Sequence, residues 1–115
     1  MAYNEDAAGR VRQAISGYSH LDEIKMFGGI CFTINGNMAI GVVKDDLVVR
    51  FDPDDTDKIM VEPHVRPMDF TTRPMRGFAF LAAPGYKSPA ALRKWVERTA
   101  GYVATMPPKK AKKKR

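Results

Sequence analysis

Apolar positions recur along this chain in two rhythms, and each predicts a different kind of element. Ala7, Val11, Ala14, Ile15 and Tyr18 fall at three- and four-residue steps, one stripe on a helix. Asn4 stands in front as a cap, Glu5 and Asp6 place acids where the helix dipole favours them, and Gly17 is a stop. Residues 24–34 are β-rich and lead into Asn35-Gly36, the strongest short hairpin signal. Residues 37–43 form the return strand, Lys44-Asp45-Asp46 a second turn and residues 47–51 a third strand, so a three-stranded antiparallel meander is expected. Gly28-Gly29 interrupts its first strand, and a bulge or the close approach of another backbone is the reason expected.

The rhythm then breaks. Asp52-Pro53-Asp54-Asp55 ends the sheet and starts a short helix to about Val61, which Pro63 stops. Residues 64–76 are rich in Pro, Met and Arg and have no period. Residues 77–82 form another strand. Ser88 with Pro89 is a helix start, and Leu92, Trp95, Val96, Thr99 and Val103 make the buried stripe of a final helix to about Thr105. The order predicts an α+β fold, an antiparallel sheet of four to five strands with N- and C-terminal helices packed on it. Trp95 is the expected anchor between the last helix and the sheet.

Composition narrows the class. At 115 residues and 44% apolar, the chain can bury one core. No apolar run approaches the roughly 18–20 residues of a membrane span. The first residues lack the basic-then-apolar pattern of a secretory signal. A single cysteine, Cys31, excludes an internal disulfide framework. A soluble, cytoplasmic protein is therefore expected.

The net charge of +6 has a definite place. Lys109, Lys110, Lys112, Lys113, Lys114 and Arg115 supply it, and residues 1–108 are formally neutral. Residues 1–65 carry a balance of −5 and residues 66–108 one of +5. These halves are folding partners by default; a functional basic face in the second half is the alternative. Residues 1–106 are expected as one folded domain, and 107–115 as a disordered lysine-rich tail after Pro107-Pro108. Such a tail binds polyanions by counterion release without reading bases, or simply solubilises the chain.

Catalytic constellations are sparse. His20 and His64 are the only histidines, no His-x-x-x-His or Cys-x-x-Cys pair exists, and neither metal nor cofactor is implied. Cys31 lies mid-strand among apolar neighbours, as inert packing cysteines do. Asp52, Asp54, Asp55 and Asp57 are better explained as helix N-terminal acids than as a cation site. The unusual stretch is residues 64–76, which holds His64, Arg66, Asp69, Arg73 and Arg76. Converging arginines would make an anion site. The competing structural role has Arg66 or Arg73 paired with Asp69 and pinning the loop, with Met68 and Met75 plugging the core beside it.

Several spaced motifs carry a family resemblance. Lys25-Met26-Phe27-Gly28-Gly29-Ile30-Cys31-Phe32, then Asn35-Gly36-Asn37-Met38, then Gly41-Val42-Val43-Lys44-Asp45-Asp46-Leu47-Val48-Val49-Arg50 resemble the first half of the TfoX/Sxy N-terminal domain family. Pro63-His64-Val65-Arg66-Pro67-Met68-Asp69-Phe70 and Arg73-Pro74-Met75-Arg76-Gly77-Phe78 are similar to its second half. The resemblance runs from about residue 7 to Pro108. It implies an α+β domain with an antiparallel sheet and kinship with bacterial regulators of natural competence, thought to act as transcriptional co-activators beside a DNA-bound cyclic-AMP receptor protein. It brings no established catalytic residues. Full-length competence regulators carry a second domain where this chain has its lysine-rich tail, so a stand-alone single-domain member is expected.

The leading expectation is a non-enzymatic regulatory or adaptor domain. It would bind a regulatory protein through its body and nucleic acid non-specifically through the tail, without membrane contact. One alternative is a small anionic-ligand-binding or enzymatic domain built on residues 64–76. A third is a self-associating module that pairs an exposed sheet edge.

Overall fold

A computed structural model describes residues 3–26, 28–67 and 77–107 of the chain. Helix α1 (Glu5–Ile15) begins where Asn4 Oδ1 accepts from the Ala7 amide at 2.9 Å, so the expected cap is in place. The Asn4 amide also donates to the Lys44 carbonyl at 2.7 Å, which fixes the start of α1 to a turn of the sheet. Ala7, Ala8, Val11 and Ile15 are buried. Ala14, expected in the stripe, is exposed on the rim of a groove, and Ala8 takes its place in the core.

Strands β1 (Leu21–Met26), β2 (Gly29–Ile34), β3 (Asn37–Val43) and β4 (Asp46–Arg50) follow as an antiparallel meander. The stretch expected as one interrupted strand is thus a hairpin, with Met26 opposite Gly29. Gly28 has φ +73°, a left-handed conformation that suits the turn. Gly29 meets the other half of the expectation: a Cβ there would collide with the Val42 carbonyl oxygen. The second hairpin turns on Asn35 and Gly36, with φ of 54° and 82°, the conformation a two-residue turn demands.

A 3-10 turn (Pro53–Asp55) runs into the short helix α2 (Thr56–Met60). Asp52 Oδ1 caps this start by accepting from the Asp54 amide at 2.9 Å, the helix-terminal role expected of the acidic cluster. Strand β5 (Val65–Pro67) lies in the segment that shows no period, and β6 (Phe78–Leu81) is the later strand expected over residues 77–82. The described sheet therefore has six strands, in the order β1-β2-β3-β4-β6-β5, all antiparallel. It exceeds the four to five expected because the chain turns at Gly28 and because Val65 to Pro67 pairs along β6.

A 3-10 turn (Ala83–Tyr86) leads to helix α3 (Pro89–Ala104), where Ser88 accepts from the Ala91 amide at 3.1 Å. Leu92, Trp95, Val96, Thr99 and Val103 are buried as expected, with Ala100. Helices α1 and α3 share one core with Ile30, Phe32 and Ile34 of β2, Leu47 and Val49 of β4, and Ala79 and Leu81 of β6. Alternation turns Cys31, Val48, Phe78 and Phe80 to the opposite face.

One polar group holds the layers in register. The pairing of β2 with β3 shifts between Phe32 and Thr33, which leaves Ala39 as the extra residue of a bulge. Thr99 Oγ1 donates to the Ala39 carbonyl at 2.6 Å and accepts from the Arg50 amide at 3.0 Å. A hydroxyl from α3 thus satisfies two backbone groups of the sheet, and is itself satisfied while buried.

Candidate functional site

The residues expected to carry chemistry fall unevenly on the structure. Asp69, Arg73 and Arg76, with Met68 and Met75, lie outside the described residues, as do Lys109, Lys110, Lys112, Lys113, Lys114 and Arg115. His64 and Arg66 are described, and β5 brings both to the far edge of the sheet. His64 is exposed, with φ +69°, and its carbonyl accepts from the Ala82 amide at 2.8 Å. That bond continues the β5–β6 ladder by one step.

Arg66 lies across β6. Its guanidinium carbon is 5.1 Å from the centre of the Phe80 ring, and Nη2 donates to Asp46 Oδ2 at 2.7 Å. β6 separates β5 from β4, so the side chain spans the Phe80 ring to reach a carboxylate on the strand beyond. Arg66 therefore ties β5 to β4; its described carboxylate is Asp46, twenty positions away, and the expected partner Asp69 lies outside the described residues.

A second arginine repeats the arrangement. Arg50 at the end of β4 sits 5.2 Å from the centre of the Phe78 ring, and its Nη1 donates to the Met38 carbonyl at 3.2 Å. Phe78 and Phe80 are two residues apart on β6, so both rings stand on the face turned away from α1 and α3. The face thus carries two arginine–phenylalanine stacks side by side, each half-buried or half-exposed. Arg50, Phe78 and Phe80 are not among the expected site residues. The alternation Phe78-Ala79-Phe80-Leu81 is the signal that places the two rings together; nothing local in the sequence places an arginine over each.

The remaining chemistry is quiet. Cys31 is buried on the same face, 1% exposed, and burial pushes its thiol up to about 11, so it is protonated at neutral pH. Among the described residues no group of three His, Cys, Asp or Glu side chains is placed to hold a metal ion. A groove of about 590 Å³ runs between α1 and α3 and is lined by Arg10, Gln13, Tyr18, Leu92, Arg93 and Glu97 among others. Arg10 is committed elsewhere: its Nη2 donates to the carbonyls of Tyr86 and Lys87 at 3.0 and 2.9 Å and ties α1 to the turn before α3. No helix among the described residues is long and apolar enough to cross a membrane.

These features define a small α+β domain, one layer of helices on a six-stranded antiparallel sheet whose opposite face carries stacked arginines. The TfoX N-terminal domain model matches residues 13–102, and the chain belongs to that family. The match covers the meander, both arginine–phenylalanine stacks and most of α3. At family level this is a competence-related domain, and the family is not a known family of enzymes. Comparison with curated proteins finds no match, and comparison with solved structures finds none.

Proposed function

We propose that this chain is a non-enzymatic regulatory or adaptor domain of a bacterial cytoplasm. It engages a protein partner through its folded body and nucleic acid through its basic tail. Family membership carries the regulatory part of this reading. The way the body uses its arginines supports the division of labour. Arg10, Arg12, Arg50, Arg66 and Arg98 each lie over an aromatic ring of the scaffold. Arg12, Arg66 and Arg98 also pair with Glu23, Asp46 and Glu62. Cations used in this way hold elements together. The six basic residues among 109–115, which account for the whole net charge, are the group suited to phosphates.

The small-anion reading keeps only His64 and Arg66 among the described residues, and Arg66 already faces Asp46 at 2.7 Å.

An electrophoretic titration of a DNA duplex tests the tail. Removing residues 109–115 is expected to lower affinity at low salt by at least about tenfold. It is also expected to flatten the log–log salt dependence by about 5 units, as loss of six phosphate contacts on a duplex requires. Unchanged binding sinks the tail's role. For the body, a pull-down compares the full chain with residues 1–107 after nuclease treatment. The expected result is a partner retained by both; recovery of nuclease-sensitive material alone would sink the adaptor.

A further inference from the structure

A sheet ends in two edges, and each offers backbone groups that another strand can take up. The two edges here are unequal. β5 is three residues long and ends in Pro67, which has no N–H to donate. β1 is six residues long, and among the described residues no strand pairs with its outer side. Asp22, Glu23, Ile24 and Lys25 are all exposed, and Ile24 is 46% exposed, which is large for an isoleucine.

The phase of β1 decides which groups face outward. The Asn35 amide donates to the His20 carbonyl at 3.1 Å, so His20 and its opposite residue form a hydrogen-bonded pair. Alternation then turns the backbone groups of Asp22, Ile24 and Met26 inward to β2, and those of Leu21, Glu23 and Lys25 outward. Two copies of β1 meeting antiparallel about a two-fold axis must join outward residues to outward residues. The axis therefore passes through a residue, which faces its own copy. Centred on Asp22, Glu23 or Lys25, the pairing sets like charges directly across from each other, which is unfavourable. Centred on Ile24, it sets Glu23 against Lys25 on both sides of the axis, and Ile24 against Ile24.

We propose that β1 is a self-association edge. Two copies of this chain pair their β1 strands antiparallel about Ile24 and join their sheets into one. Glu23 and Lys25 exchange backbone hydrogen bonds across the axis. Their side chains lie on the face that bears the helices, because Glu23 is opposite Phe32 and Lys25 opposite Ile30. Arg12 already holds Glu23 there with two hydrogen bonds of 2.7 and 2.9 Å, so the carboxylate is positioned for the partner's lysine. On the other face the two Ile24 side chains cover each other beside Cys31. The proposal is independent of the tail and of any heterologous partner.

Sedimentation and cross-linking test it together. The full chain is expected at twice its 12.9 kDa mass at high micromolar concentration. Lys25→Glu and Glu23→Lys each bring like charges together and are expected to weaken association at least tenfold. An equimolar mixture of the two restores opposite charges and is expected to recover the dimer. With Cys31 replaced by Ala, so that the thiol opposite position 24 cannot compete, Ile24→Cys is expected to form a disulfide-linked dimer under mild oxidation, because facing residues of a non-hydrogen-bonded pair stand about 4.5 Å apart at Cα, within disulfide range. Asp22→Cys, which lands opposite Met26, is expected to form none. If Glu23→Lys does not fold beside Arg12, the cross-linking pair decides. A wild-type monomer up to about millimolar concentration would overturn the proposal. So would a folded Lys25→Glu that associates as wild type, or cross-linking through position 22 in place of 24.

Discussion

Gly28 and Gly29 are adjacent and serve different physical ends. Gly28 supplies a left-handed turn with open space around its α-carbon, whereas Gly29 has an ordinary φ and no room. The atom in its way is a backbone oxygen of Val42, which cannot rotate aside. Gly29→Ala is therefore expected to destabilise the domain by about 1–3 kcal/mol or more, as overpacking does. A urea titration measures it, and a change within about 0.5 kcal/mol would contradict the close approach. The pair was legible in the sequence as a break in a strand; that the chain turns at Gly28 and starts a new strand at Gly29 was not, since nothing local distinguishes a bulge from a tight turn. Arg66 shows the same limit. Its carboxylate is distant in sequence because β4 and β5 flank β6 on its two sides, an adjacency that chain order does not reveal.

Elements are joined by a few side chains, and α1 shows how. Its N-terminus is bonded to the β3–β4 turn, and its last turn carries Arg12, which grips Glu23 of β1. The hydrogen bonds from Arg12 hold the Glu23 carboxyl below its usual range, against a smaller opposing effect of burial. A carboxylate whose pKa is lower folded than unfolded contributes stability above its unfolded value, and that contribution is lost as pH falls through the folded one. Both side chains are well exposed, at 51% and 39%, so water and salt screen the pair and it is worth about 1 kcal/mol at most. Glu23→Gln is thus expected to be less stable than wild type at neutral pH, and the gap to close as pH falls below about 4.3. Chemical denaturation at several pH values, at concentrations too low for association, measures the gap. A gap constant with pH would mean that the pair contributes through packing alone.

At the scale of the whole molecule, α3 carries the fold across the sheet. It contributes Trp95, 6% exposed, to the common core, and Arg98 lies 4.5 Å from the centre of its ring while pairing with Glu62 just beyond α2. Trp95→Ala removes the largest side chain of that helix from the core and is expected to cost about 3–5 kcal/mol. Unfolding followed by circular dichroism checks this, and a loss below about 1 kcal/mol would mean that the ring is dispensable to the packing of α3. Among the described residues α1 and α3 cover one face of the sheet, the arginine–phenylalanine stacks lie on the other, and β1 runs at the margin, where a second copy can reach it.

What the sequence determined by itself is local. Asn4, Asn35-Gly36 and Ser88-Pro89 start or turn their elements through hydrogen bonds and torsions that span only a few residues, and the apolar stripes state which side of each element is buried. The ordered motifs of residues 25–50 and 63–78 carried the family as well, because they depend on residue identity and spacing alone. The tertiary structure decided what depends on distant backbones meeting. It placed β6 between β4 and β5, gave Arg66 its carboxylate, set Thr99 into the bulge at Ala39 and left β1 at the edge of the described sheet. The physical reason is that a strand's alternation states which side chains share a face but not which neighbour completes its hydrogen bonds, and only the assembled sheet supplies that neighbour.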